Sequence, residues 1–372
     1  CSFPAMILAN RSILALAVLG LSLPASALDE KRAQDLLRRT MLRTPTHNVT
    51  AVILQRMVDE PGRMQQIQVV LSRDGQSRHT VLSPLSLQGL DSLDDGKTTR
   101  TYLPDRKIVI EMKSPRAIEC DADTRIALAT RNYRLRTEKG PTVAGRDSAL
   151  VVAQPRHRDL AERRYYIDPV TGYLLKLETV VKGKATTTFE TRFVEYPQSL
   201  PRTSFRLGTL SGNVKVVAQT PRNLEDPEDA ALRVGFPVIV PTRLPLGFTV
   251  EDVEVVNPER GNMVGVRITD GLVKGTVYQW SAQDDRKTVA PLQGASMTDV
   301  GSVRIMLIAD VPDAARERIL SSFRDATRKL AIQSPRGQHR ILTLRWQPHR
   351  DYLELPLPDR ALLDERSGRV VA

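Results

Sequence analysis

Apolar and polar positions alternate along most of this chain, and the stretch "YYIDPVTGYLLKLETV", residues 165–180, shows the pattern at its clearest. Asp168 and Pro169 suit the first positions of a tight turn, and Gly172 suits the left-handed position that closes a bulged hairpin. Beyond the turn Tyr173, Leu175, Leu177 and Val181 fall on one face, with Lys176 and Glu178 on the other. That period belongs to a strand with one face in a core and one in water. Further strands are predicted at "VTAVILQ" from Val49, "MQQIQVVLS" from Met64, "RTYLPDRKIVIEM" from Arg100, "SALVVAQ" from Ser148 and "TTTFETRFVEY" from Thr186. In the last of these, Phe189, Thr191 and Phe193 are expected to share a face. The second and third bracket an apolar loop, "VLSPLSLQGLDSL", residues 81–93, and Asp95-Gly96 and Pro104-Asp105 are turn signals.

Helical spacing replaces alternation in a few places. Residues 29–42 put Ala33, Leu36, Leu37 and Met41 on one face, with Lys31, Arg32, Arg38 and Arg39 around the rest. A second helix is expected near residues 121–132. A third begins at Pro312, "PDAARERILSSF", with Ala315, Ile319 and Phe323 in line. A second group of strands precedes it: "FTVEDVEVV", "MVGVRITDG", "LVKGTVYQW" and "SVRIMLIAD". Residues 197–235, between the two groups, are Pro-rich and charged ("YPQSLPRTSF", "PRNLEDPEDAALRVG") and read as a linker with one strand, "NVKVVAQ", inside it. Polar joints of that kind carry few crossing contacts, so the flanking domains are expected to shift and the second to fold alone. The predicted class is α+β, mainly β. A helix and a long antiparallel meander fill residues 28–196, a smaller mixed domain fills 236–325, and 326–372 form a tail of unread role.

The 372 residues suffice for two domains of ~100–200 residues each. Lys and Arg number 54 against 43 Asp and Glu, and the net +11 suits an anionic partner. Residues 1–27 read as a secretory signal, with Arg11 before the apolar run "SILALAVLGLSL" and Ala25-Ser26-Ala27 as the cleavage site. The run is shorter than the ~20 residues a membrane span needs. An uncleaved anchor stays open as an alternative. Export argues against nucleic acid as the anionic partner. It also leaves Cys120 without a second cysteine, and a small buried residue outweighs a reactive thiol there.

Catalytic patterns are missing. The five histidines include no His-Glu-x-x-His, and there is no Cys-x-x-Cys, Gly-x-Ser-x-Gly or Gly-rich phosphate loop. "DSLDDGK" breaks the alternate-position spacing of a calcium loop and reads as a hairpin turn. The carboxylates of "NLEDPEDA" read as solvating the linker. No cofactor or metal is expected, and a non-enzymatic binding module fits better than a hydrolase. An antiparallel sheet curled over a helix leaves an apolar concave face that can hold an acyl chain or a partner segment. Leu82, Leu85, Leu87 and Leu90 are the candidate ligand-binding residues. Arg163 and Arg164, beside Tyr165, are candidates to meet a head group or an acidic partner.

Two sets of motifs resemble known families. "DDGKTTRTYLPDRKIVIE" and the block from Val143 to Phe193, "VAGRDSALVVAQ…TTTFETRF", resemble the hairpins of the LolA/LolB-like lipoprotein carriers. "VPTRLPLGF", "ITDGLVKGTVYQW" and "VRIMLIADVPDAARERILSSF" follow one another as in the small C-terminal domain of the RseB/MucB family, periplasmic regulators of an envelope-stress sigma factor. The resemblance implies a half-barrel wrapped on a helix, joined to a small α/β domain, in the periplasm. It implies binding of the periplasmic segment of a membrane anti-sigma factor, and release on sensing acyl chains, lipopolysaccharide or lipoprotein. It leaves a homo-oligomer open. The alternative is a lipid or lipoprotein carrier with no regulatory role, although simple carriers lack the second domain.

Overall fold

The structure, a computed structural model, describes residues 25–333 except 43, 57–62, 118, 209–213, 219–225, 257–262 and 284–294. The signal run and most of the tail lie outside the described residues. Helix α1 (Ala25–Thr40) opens the described chain. Six strands follow: β1 (Val49–Arg56), β2 (Met64–Leu71), β3 (Ser77–Ser83), β4 (Asp91–Asp94), β5 (Thr98–Leu103) and β6 (Ile108–Lys113). Then come α2 (Ala122–Asn132) and five more: β7 (Tyr133–Lys139), β8 (Ala149–Pro155), β9 (Glu162–Ile167), β10 (Leu174–Val181) and β11 (Lys184–Glu195). With the short β12 (Lys215–Ala218) they form a 12-stranded sheet in the order β12-β6-β5-β4-β3-β2-β1-β11-β10-β9-β8-β7. It is an open half-barrel with β12 and β7 at its edges. Every pairing is antiparallel except that of β12, which lies parallel to β6.

The apolar face of α1 is the one its period predicts: Ala33 and Leu37 are fully buried and Leu36 nearly so. The helix lies over β7, β8 and β9. Its Arg39 donates to the carbonyls of Pro169 and Val170, in the β9–β10 turn. That turn is built as its sequence demands. Asp168 Oδ1 accepts from the N–H groups of Val170 and Thr171, and Gly172 takes φ +75°.

Three expectations change. A bulge between Leu174 and Lys176 splits the face read for β10: Tyr173 and Leu175 join the apolar cluster of β1 and β2, Leu177 packs on the other cluster, and Val181 is exposed. The stretch 81–93 is only partly a loop, because its ends extend β3 and form β4, joined by a 3₁₀ turn at Leu85–Leu87. In β11, Thr191 and Phe193 do not share a face. A bulge pairs Ile53 with Thr191 but Val52 with Phe193, so the extra residue reverses the alternation. Thr191 and Val194 are buried, while Phe193 is 45% exposed.

The rest of the chain builds a second sheet. Helix α3 (Pro227–Val234) comes first, then β13 (Thr249–Val256), β14 (Met263–Thr269), β15 (Lys274–Ser281), β16 (Ala295–Val300), β17 (Val303–Ala309) and α4 (Asp313–Gln333). The strands are antiparallel in the order β13-β14-β15-β17-β16. Val266, Ile268, Val277, Ile305 and Leu307 belong to one apolar core with Ala315, Ile319 and Phe323 of α4. Helix α3 was hidden in the linker reading. Asp226 caps it by accepting from Glu228 N–H, Pro227 starts it and Gly235 ends it at φ +76°. Its Ala230, Ala231 and Val234 are buried, so the end of the Pro-rich stretch belongs to this second core. One apolar cluster runs without a break from α1 through β7–β9 into the second sheet and α4.

Candidate functional site

The four leucines of the 81–93 stretch are split by the hairpin that carries them. Val81 donates to Leu90 and accepts from Gly89 across the turn. Leu87 and Leu90 pack on the apolar cluster formed by Val49, Ala51, Ile53, Ile67 and Val69. Leu82 and Leu85 point outward, Leu85 being 85% exposed at the tip. The cluster beneath is the face that β1 and β2 present together: Ala51 pairs with Val69 and Ile53 with Ile67.

The two candidate arginines also part company, since successive side chains of a strand face opposite ways. Arg164 is half-buried against Glu162 at 2.8 Å. Arg163 turns inward and is almost fully buried at the junction of the two sheets, where its Nη2 reaches Asp310 Oδ2 at 3.0 Å and donates to the Asp310 main-chain carbonyl. Asp310 ends β17. Its carboxylate also accepts from Arg56, the last residue of β1, at 2.6 Å, and from the Thr179 hydroxyl of β10 at 3.2 Å. Burial works against the Asp310 carboxylate. Arg163 and Arg56 outweigh it and hold the pKa below the ordinary value, so the group is ionised at neutral pH.

A second polar knot lies deeper in the same junction. The Tyr133 hydroxyl donates to Asp270 Oδ2 at 2.7 Å, and Asn132 donates to the carbonyls of Asp270 and Gly247 at 2.9 and 3.0 Å. Asp270 Oδ1 accepts from the N–H groups of Leu272 and Val273 and so shapes the β14–β15 turn. Burial raises the Asp270 pKa despite these donors. Gly271, in that turn, has φ +99°, and a Cβ there would sit 2.4 Å from the Arg125 carbonyl of α2. Only glycine lets the turn seat directly on the helix. Three more links tie the sheets: Lys274 to Glu119 at 2.8 Å, Arg318 to Asp159 at 2.5 Å, and the N–H of Cys120 to Glu251 at 2.9 Å. Burial, then Glu251, pushes the Cys120 thiol up to about 12, so it is not a nucleophile at neutral pH.

Tyr133, Asp270, Arg56 and Asp310 escaped the sequence reading. The Asp-Gly of "ITDGLV" marks a turn, but nothing in the local pattern pairs that aspartate with a tyrosine far upstream. Among the described residues no group of three or more His, Cys, Asp and Glu side chains is placed to hold a metal ion. No described helix is long and apolar enough to cross a membrane.

No family model and no curated protein matches the chain by sequence. Solved structures do match. A crystal structure of MucB superposes with a TM-score of 0.53 at 17% identity, over 78% of this chain and 97% of that one. A chain of the Pseudomonas aeruginosa MucA/MucB complex gives 0.51 at 16% identity, over 77% and 96%, and MucB in complex with MucA(peri) gives the same values. At such identities the likeness is one of backbone architecture, and over nearly the whole length of its neighbour this chain has the fold of MucB.

Proposed function

We propose that the chain is a non-enzymatic periplasmic regulator. It binds the periplasmic segment of a membrane anti-sigma factor and yields it when lipid or lipoprotein engages the half-barrel. One observation carries the reading. The match with MucB, a protein solved in complex with MucA, extends through both sheets rather than stopping at the half-barrel. A carrier needs only the half-barrel, so the second sheet calls for a purpose of its own. The sequence motifs that resemble the RseB/MucB family lie in and beside that second sheet, at Val240–Phe248, Ile268–Trp280 and Val303–Phe323.

The test uses the chain from Leu28 and the periplasmic segment of the single-span membrane protein encoded beside a sigma factor. The segment should bind saturably, and a fluorescent fatty acid should weaken that binding. Because linkage is reciprocal, the segment should weaken fatty-acid binding by the same factor. Saturable fatty-acid binding with no affinity for the segment would favour the carrier, and binding of neither would remove both readings.

A further inference from the structure

The charged knot at Asp310 has the composition of an anion site. Arg56, Arg163 and Thr179 come from β1, β9 and β10 of the first sheet, with Thr179 directly opposite Arg163 in the ladder. All three donate to one carboxylate of the second sheet. The carboxylate lies at the rim, its side chain 43% exposed, while Arg56 is 20% and Arg163 5% exposed behind it. A solvent-facing anion therefore plugs a cradle of inward cations.

The cradle keeps one donor in reserve. Asp310 Oδ2 serves both Arg163 and Thr179, and Arg163 Nε is buried with no hydrogen-bond partner among the described residues. A phosphate monoester presents three terminal acceptor oxygens where a carboxylate has two, and guanidinium forks match it well. If Asp310 left, Arg163 would lose its counter-ion, and an incoming oxyanion would replace it.

We infer that Arg56, Arg163 and Thr179 form a phosphate-binding site which Asp310 fills as an internal surrogate, and that an external phosphate group entering it frees the second sheet at this rim. The purpose given to the switch, release of an anti-sigma segment, rests on the reading above; the anion site rests on the geometry alone.

The experiment contains no anti-sigma segment, so its failure and the failure of that reading are separate events. The chain from Leu28 is titrated with inorganic phosphate in one arm and with monomeric octyl phosphate in the other, at constant ionic strength. Calorimetry gives the dissociation constants. Pulsed electron resonance between spin labels at positions 170 and 232, both exposed, follows the two sheets in a Cys120→Ser background. Asp310→Asn removes the competing charge and should tighten phosphate at least ten-fold. Arg56→Gln should weaken it at least ten-fold, and phosphate should lengthen the label distance. Tighter binding of octyl phosphate than of inorganic phosphate identifies a lipid head group as the source, and equal binding identifies free phosphate. An Asp310→Asn protein that binds phosphate no more tightly than the parent, or an Arg56→Gln protein that binds it equally well, overturns the site. Should Arg163→Gln fail to fold, the partly exposed Arg56 still decides the question.

Discussion

Asp94 shows what one side chain can hold together. Its carboxylate accepts from Gly96 N–H at 2.6 Å, from the hydroxyls of Thr99 and Ser114 at 2.8 and 2.7 Å, and from Arg116 at 2.5 Å. It thereby clamps the β4–β5 turn to the end of β6. Burial opposes ionisation there, but Arg116 and the other donors outweigh it and the pKa is lowered. The sign follows from linkage. A carboxylate whose folded pKa is depressed adds stability above its unfolded pKa of ~3.9, and that stability is lost as pH falls through the folded value. Asp94→Asn should therefore cost about 1–3 kcal/mol at pH 7, where charge-assisted hydrogen bonds are lost. It should also lose less stability than the parent between pH 7 and pH 3. Urea unfolding at both pH values checks this, and parallel losses in the two proteins would refute it. Asp270 carries the opposite sign, because burial raises its pKa and its penalty grows as pH rises. The sequence showed "DSLDDGK" as a turn and no more. A strand pattern tells which residues point inward; it does not say which of them meet across 147 positions, as Arg163 and Asp310 do.

At the scale of elements, the pattern was legible wherever period and burial agree. Helices α1, α2 and α4 and most strands lie where their spacing puts them, since one apolar face per element is what a layered core requires. Strands β3, β4 and β7 lie outside the stretches that the pattern predicts as strands, and three further features did not follow. Strand β16, "ASMTDV", is an edge strand of six residues, half of them polar, and too short and weakly apolar to stand out as a strand. Helix α3 is two turns long and starts on Asp226-Pro227, which reads as a breaker until the buried Ala230, Ala231 and Val234 are seen to face a core. The bulge in β11 inverts the alternation beyond Thr191. That inversion makes a test, because simple alternation and the bulged register predict opposite outcomes. The bulged register expects Phe193→Ser to change stability by less than about 0.5 kcal/mol and Val194→Ala to cost about 1–3 kcal/mol. Denaturant midpoints compare the two. A larger loss at Phe193 than at Val194 would restore the unbulged strand, with Phe193 beside Thr191 inside and Val194 at the surface.

For the molecule as a whole, the Pro-rich stretch between the sheets gave the expectation of two bodies that shift freely and fold apart. The junction argues otherwise. Tyr133, Asn132 and Arg163 of the first sheet side are buried against Asp270 and Asp310 of the second, and each buried polar partner would be stranded if its opposite number unfolded first. The apolar cluster is shared as well: Leu135, Val151 and Ile167 belong to the same continuous core as Val266, Leu307 and Phe323. Domains behave independently when few contacts cross their boundary, and here the crossing contacts include buried charge. The chain from Leu28 should accordingly unfold in one thermal transition, with equal calorimetric and van't Hoff enthalpies, and breaking the Tyr133–Asp270 bond with Tyr133→Phe should lower that single transition without splitting it. Two resolved transitions in the parent protein would show that the junction is weaker than either sheet. The same scan with phosphate present connects stability to regulation. If an external anion displaces Asp310, the junction loses one of its buried charged ties while the Tyr133–Asp270 knot and the shared core remain, so high phosphate should broaden the transition in the parent. Asp310→Asn, which lacks the charged plug from the start, should show that behaviour at lower phosphate. A parent transition that phosphate only shifts upward, keeping its shape, would mean that the anion stabilises the closed junction instead of opening it.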